Sequence, residues 1–472
     1  MRWSLVGVLA LSAWAGDWSR FRGPNGSGVA PDKGLPVAMS ATENLVWRTE
    51  LPPGYSSPVV TGDRLYVTSR EKDSLFTFAL DRKTGRILWR RESAQGKPLK
   101  KGFPWALSAP TPVSDGTNVY VAFDEFGLIS YGADGQERWR LQLAPFNTPY
   151  GFASSPVLAG NKLLFVVDQD TDSYLLAVDK DTGKQLWKAP RPAHTHSFPS
   201  PIVYEPRKGP AQVIVSGSFQ VTSYSLETGE KVWWLQGLAW QAKSLPVIGR
   251  VNNEDVLFVH SWMAGLAELG IRQNFGPFAE ILKESDKDGD GKLSREETPD
   301  PELRKYWFLF DLDKDNYVTS YDWDLHIARS KAQNGLWAVR LGGKGDISKT
   351  HVLWRYEKSL PNIPSPVLYQ DVLYLLKEGG ILTALEPATG KVLKQERAGG
   401  TLGEIYASPV AADGKLFLLN KEGKLVVVRA GADWEVLKVN ELGEDAWATP
   451  AIAASRVYVR TMKAVYCFGQ AP

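Results

Sequence analysis

A small residue, then proline, then an apolar run recurs eight times along the chain. No other feature restricts the fold as strongly. The pattern reads Ser57-Pro58-Val59, Thr111-Pro112-Val113, Ser155-Pro156-Val157, Ser200-Pro201-Ile202, Leu245-Pro246-Val247, Ser365-Pro366-Val367, Ser408-Pro409-Val410 and Thr449-Pro450-Ala451. Successive prolines lie 54, 44, 45, 45, 120, 43 and 41 residues apart. The single long interval exceeds its neighbours by about 75 residues, which marks one insertion inside the fifth unit.

Within a unit, β-branched and aromatic runs alternate with Gly, Asp and Asn turns, which predicts four strands, A to D. Gly62-Asp63, Gly160-Asn161 and Asp413-Gly414 suit the first hairpin, and Thr-Gly at 84–85, 182–183, 228–229 and 389–390 suits the last. Four-stranded units at this period predict an all-β, eight-bladed β-propeller. A tryptophan follows the last turn at Trp89, Trp139, Trp187, Trp233 and Trp354, placed to pack between blades. Lys394 takes that place in unit six, and Trp434 is shifted in unit seven.

The eighth unit has three strands, in Ala448–Ala453, Arg456–Met462 and Ala464–Gly469. Asn44–Arg48 reads as the missing fourth, so the N-terminal strand is expected to close the ring and leave no open edge. The expected organisation is a signal peptide over 1–15, an extension over 16–42, blades one to five over 43–266 with the closing strand at 43–51, an insertion over 267–333, and the remaining blades over 334–472. Arg2, the apolar run Leu5–Ala13 and Ala13-Trp14-Ala15 form the export signal. The apolar run is too short to span a bilayer, so the mature chain is expected to lack a transmembrane segment and to work in the periplasm or outside the cell.

The insertion carries metal-ligand spacing. Asp286, Asp288, Asp290, the Lys292 carbonyl, Ser294 and Glu297 occupy the six ligand positions of a complete EF-hand loop, with Gly291 at its sharp turn. Leu293 is the apolar residue that can pair with a second loop. That loop would use Asp311, Asp313, Asp315, the Tyr317 carbonyl, Thr319 and Asp322, with Asn316 at the Gly place and Asp322 in place of Glu. Ca²⁺ is the expected ion, because such loops present only oxygen ligands. Helices are predicted at Pro277–Ser285, Glu302–Phe310 and Tyr321–Ala332. The insertion falls between strand B, Asp255–Trp262, and strand C, Gly335–Leu341, which predicts a module at the channel mouth.

The D–A connections bring aromatic residues before each proline: Tyr55, Trp105, Tyr150, Phe152, Phe198, Trp240, Tyr406 and Trp447. They pack blades or offer a platform to a ligand. His194 and His196 alternate along the chain, and a metal there would need a third ligand such as His260. With 55 Lys+Arg against 53 Asp+Glu, no basic excess exists to neutralise phosphates, so nucleic acid is not an expected partner.

The phrase Ala177–Gly183 followed by Trp187, matched by Ala79–Trp89, resembles the repeat of pyrroloquinoline quinone (PQQ)-type propellers. Phe21–Gly28 resembles the start of exported bacterial proteins of that kind. The resemblance implies either quinoprotein dehydrogenases or non-enzymatic BamB-type assembly factors. The dehydrogenases imply a vicinal cysteine pair beside the cofactor, and Cys467 is alone, so PQQ is not expected. The resulting expectation is an exported, monomeric, calcium-binding propeller that holds a protein or glycan partner at its channel face without catalysis. A PQQ-dependent oxidoreductase is the alternative, and a polysaccharide-binding or polysaccharide-processing protein is a further one.

Overall fold

The structure is a computed structural model and describes residues 16–96, 109–148, 151–263, 275–312 and 314–470. Eight antiparallel sheets, each built on four strands, follow one another along the chain. The all-β, eight-bladed propeller is therefore the observed architecture. The first strands of successive blades contact one another, so they line the central channel. The closing strand, Leu45–Glu50, pairs antiparallel with Ala464–Phe468 and completes blade eight. The export signal lies outside the described residues. No helix among the described residues is long and apolar enough to cross a membrane.

One contact explains the tryptophan and Thr-Gly repeat together. Each last turn puts its glycine at positive φ, and the indole of the preceding blade lies against it. A Cβ on Gly85, Gly135, Gly183, Gly229 or Gly390 would come within 2.6–2.8 Å of Trp47, Trp89, Trp139, Trp187 or Trp354 respectively. The same indoles donate across the boundary. Trp47 reaches the Arg82 carbonyl at 3.0 Å, Trp89 that of Ala133 at 2.8 Å, and Trp139 that of Lys180 at 2.9 Å. Only glycine satisfies both the left-handed backbone and the flat ring above it.

Two boundaries use other devices. Blade five has no Thr-Gly turn. Its segment Gly345–Asp346 instead adds in parallel to Trp233 and Trp234 of blade four, while the Trp233 indole donates to Gln212 at 3.0 Å. At the blade six–seven boundary, Lys394 donates to the Trp434 carbonyl at 2.9 Å and sits 4.8 Å from that indole ring. Here the ring stands on the following blade and a lysine on the preceding one reaches it, so the two departures from the repeat form one contact.

The small residue before each proline also has a reason. The Ser57 N–H donates to Thr111 Oγ1 (3.0 Å), that of Thr111 to Ser155 Oγ (2.9 Å) and that of Ser155 to Ser200 Oγ (2.8 Å). The N–H groups of Leu245, Ser365 and Ser408 continue to the hydroxyls of Ser365, Ser408 and Thr449. Six of the eight blade junctions are thus stitched around the channel. The chain of bonds stops between Ser200 and Leu245, because leucine has no hydroxyl to accept.

The docking contact can be separated from backbone strain. Gly160 (φ +60°) and Gly183 (φ +72°) are both left-handed, but only Gly183 lies under a ring. Gly183→Ala is expected to destabilise by about 1–3 kcal/mol more than Gly160→Ala in urea denaturation. Equal losses would show that the indole contact is dispensable.

Candidate functional site

The segment from residue 16 to residue 30 crosses the channel. Trp18 bridges to Val60 of blade one, and the Ser19 carbonyl accepts from Ser114 of blade two. Arg20 donates to the Pro201 carbonyl of blade four at 2.7 Å. Arg22 donates to the carbonyls of Ser365 and Pro366 in blade six, and Ala30 to that of Ala411 in blade seven. Both guanidinium groups are buried, make no ion pair among the described residues, and are lowered to about 9 by burial. The glycines of Phe21–Gly28 are steric necessities here. A Cβ on Gly23 would strike the Trp18 ring at 2.4 Å, and one on Gly26 would meet Leu245 at 2.7 Å.

This plug turns the channel into a blind pocket of about 460 Å³. Phe21 forms its floor, and the wall includes Ser57, Thr111, Ser155, Ser200 and Thr449. Tyr55, Phe152, Phe198, Tyr406 and Trp447 line its mouth side. Trp447 stacks on Tyr406 at 4.1 Å and on Tyr55 at 4.6 Å, with interplanar angles of 5° and 19°. Trp105 and Tyr150 lie outside the described residues. Trp240 is absent from this lining. It is buried, donates to Thr195 Oγ1 at 2.6 Å, and carries the Arg329 guanidinium 3.9 Å above its ring. Sequence reasoning missed Gln241, Lys243 and Asn362, which supply the amides and the amine of the wall. Lys243, alone among apolar and small residues before the fifth proline, was the available signal.

Behind the wall lies a polar cluster from blades three and four. Arg191 grips Asp168 with two hydrogen bonds (2.6 and 2.9 Å) and donates to the Tyr224 hydroxyl at 2.8 Å. Burial pushes Asp168 up, but the charge and hydrogen bonds of Arg191 outweigh it and hold the carboxyl below its ordinary value. His194 and His196 do not share a site. His194 meets Thr222 and Gln220, whereas His196 is held between Asp170 and Gln241. Burial, then the Arg191 charge, lowers His194 to about 3. Burial, reinforced by the Lys243 charge, lowers His260 to about 3 and keeps it neutral.

The insertion folds as three helices, α1 (Phe278–Ser285), α2 (Pro301–Lys305) and α3 (Ser320–Ser330). The expected helix over Glu302–Phe310 is split, because Trp307–Leu309 tightens into a 3₁₀ turn. Leu293 and Ser294 pair with Val318 and Tyr317, which joins the two acidic loops back to back. Carboxylate oxygens of Asp286, Asp288 and Asp290 come within 4.8 Å of one another. Gly291 has φ +79° and Asn316 φ +72°, so each loop turns as its ligand spacing requires. Glu297 accepts from the Ser294 hydroxyl at 2.6 Å and the Lys287 N–H at 3.1 Å, and these bonds hold it near 2. Lys292 and Ser294 follow in the same loop.

In the second loop, Asp311 is buried and its Oδ1 has no hydrogen-bond partner among the described residues. Asp315 accepts from the Tyr317 N–H at 2.8 Å, and buried Asp322 from the Thr319 hydroxyl at 2.7 Å. Asp313 lies outside the described residues. The module sits on the mouth face. Its apolar cluster includes Phe219 and Trp240 of the propeller, and Lys314 approaches Asn147 at 3.3 Å and Asp170 at 3.7 Å.

The family of outer membrane protein assembly factor BamB matches residues 26–144, 77–239 and 326–471, most of the chain and every blade apart from the first two strands of blade five. The chain belongs to this PQQ-like propeller family. Two curated relatives are enzymes by name. Polyvinylalcohol dehydrogenase of a Pseudomonas species is 24% identical over 77% of this chain, which spans 64% of that protein's length. Tetrathionate hydrolase of Acidithiobacillus ferrooxidans is 22% identical, over 89% of this chain and 79% of its own. BamB from Moraxella catarrhalis superposes with a TM-score of 0.56 at 12% identity, covering 90% of this chain and 100% of its own. BamB-type and enzyme members thus share the scaffold, and the activity resides in each member's own site residues.

Arg191→Met leaves the Asp168 carboxylate buried without its counter-charge. The expected cost is about 3–5 kcal/mol at neutral pH. In the wild type the pair's contribution is complete above the ordinary Asp value and is lost as pH falls through the lowered one. The gap between wild type and variant should therefore narrow only below about pH 4, read by urea titration at neutral pH and at about pH 3.

Proposed function

We propose that this member is an exported, calcium-binding propeller that acts by holding a ligand or protein partner at its blind central pocket. The observation that carries the reading is the closed floor. A channel plugged by its own N-terminal segment, with stacked aromatic rings at the open end, is a binding cavity and not a passage. Its place of work is the periplasm or the cell exterior.

The calcium assignment rests on the ligand chemistry of both loops. Asp286, Asp288, Asp290, the Lys292 carbonyl, Ser294 and Glu297 would hold one ion. Asp311, Asp313, Asp315, the Tyr317 carbonyl, Thr319 and Asp322 would hold a second. The orphaned Asp311 Oδ1 suits a cation, since a buried carboxylate oxygen without a partner is costly. Held in this way, the module serves as a lid or docking arm beside the mouth.

A PQQ-dependent oxidoreductase is the second reading, favoured by the likeness to polyvinylalcohol dehydrogenase. The pocket has the volume for a planar ring. However, its described lining holds one cation, Lys243, and no carboxylate that could fix a metal beside a quinone. Cys467 is buried in blade eight, opposite Trp47 and Tyr458. These residues do not fit a calcium-held quinone.

Native mass spectrometry of the metal-stripped mature chain, offered Ca²⁺ and PQQ, separates the readings. Two calcium adducts and no quinone are expected, falling to one calcium in D286A/E297A with the propeller still folded. A stoichiometric PQQ adduct would overturn the binding-module reading, and a calcium-free wild type would remove the calcium assignment.

A further inference from the structure

We infer that the blind pocket recognises a single carboxylate group carried on a planar apolar body, with Lys243 as its counter-charge. The inference rests on the pocket being a binding site, as proposed above, and adds the class of ligand.

The first argument is an uncompensated charge. Lys243 Nζ donates to Asn362 Oδ1 at 2.7 Å, its one hydrogen bond among the described residues. An ammonium carries three N–H donors, so two remain for a ligand. Burial lowers this amine to about 8, with Glu378 acting in the opposite direction. Glu378 lies behind Asn362, accepts its backbone N–H at 3.0 Å, and makes no ion pair with Lys243. At neutral pH the pocket therefore contains a half-buried cation without an ion-pair partner among the described residues.

The hydroxyl ring supplies the second argument. Thr111, Ser155, Ser200 and Thr449 each accept a backbone N–H from the preceding junction. A hydroxyl that accepts in this way keeps its proton to donate. The stitching that holds the blades together thus leaves a wall of O–H donors, and no Asp or Glu stands in the described lining to compete for them. Beneath the floor, Arg20 and Arg22 add positive charge, and carbonyl oxygens are their bonded acceptors. An ammonium, several O–H donors and no acidic side chain select an anion.

Shape sets the rest of the ligand. Phe21 below and Phe152 and Phe198 around the mouth are apolar, and the stack of Tyr55, Trp447 and Tyr406 borders the same opening. One amine matches one carboxylate. A tricarboxylate would leave two charges against hydroxyl and hydrocarbon.

The test uses the full mature chain, calcium-loaded, in equilibrium dialysis with 2-naphthoate, neutral 2-naphthamide and cationic 2-naphthylmethylamine. One site is expected, preferring naphthoate over the amide by about tenfold or more, as a charge-assisted hydrogen bond implies. Lys243→Met should erase that preference while leaving amide binding, and Lys243→Gln serves if the methionine variant misfolds. Ala153→Trp, which fills the pocket, should abolish binding of both. N-acetyl-Gly-Phe separates two sources of the group: binding tighter than naphthoate assigns a peptide chain end, and weaker binding a free aromatic acid. Equal affinity for naphthoate and amide in the wild type would overturn the carboxylate inference and leave the pocket reading standing. No binding of any probe, or binding undisturbed by Ala153→Trp, would remove the assignment of this pocket as the site as well.

Discussion

The molecule depends on a flat indole lying on a glycine that belongs to the next blade. A blade is a twisted sheet that cannot bury both faces alone, so its stability comes from its neighbours. The indole supplies a large apolar face, and its N–H satisfies a turn carbonyl that would otherwise need another donor. The contact forces the glycine turn, the tryptophan four residues after that glycine, and the blade spacing together. Trp47 makes it too, although it precedes blade one by sequence. Ring closure is therefore the same contact repeated once more, reinforced by strand pairing with Ala464–Phe468.

Closing a ring leaves a hole, and the chain fills one end of it with itself. The N-terminal segment is rich in glycine because it must turn within the channel against Trp18, Leu245 and Arg22. Its two arginines replace a hydrophobic plug by using strand carbonyls as acceptors. The consequence is a cavity with Phe21 below and hydroxyls in its wall. The inner hydroxyls serve the fold by accepting backbone N–H groups across the blade junctions.

The insertion interrupts blade five without disturbing it, since strands B and C still pair from Val256–Arg340 to Ser261–Gly335. Its own cluster of Leu293, Trp307, Phe310, Val318 and Trp323 forms a separate small core. Trp240 and Phe219 tie that core to the propeller, and Lys314 reaches the turn that carries Asp170. The acidic loops thereby lie on the same face as the pocket entrance.

Much of this was legible from residue order. Proline spacing, turn dipeptides and strand alternation are local, and each is enforced by backbone geometry, so they specified eight blades, the closing strand, the insertion point and the paired acidic loops. The spacing of Asp286, Asp288 and Asp290 is equally local, because one turn of backbone brings their carboxylate oxygens within 4.8 Å of one another. The pocket was decided elsewhere. Residues 16–42 read only as an extension, because their partners are carbonyls hundreds of residues away and a carbonyl has no signature in sequence. Trp240 shared the spacing of the mouth aromatics but turned to the insertion, where Arg329 offered its ring a cation. Lys243 became the one charge of the described wall only when eight blades and a plug had closed around it. Periodicity determined the scaffold, and the convergence of distant strands on one axis decided the site.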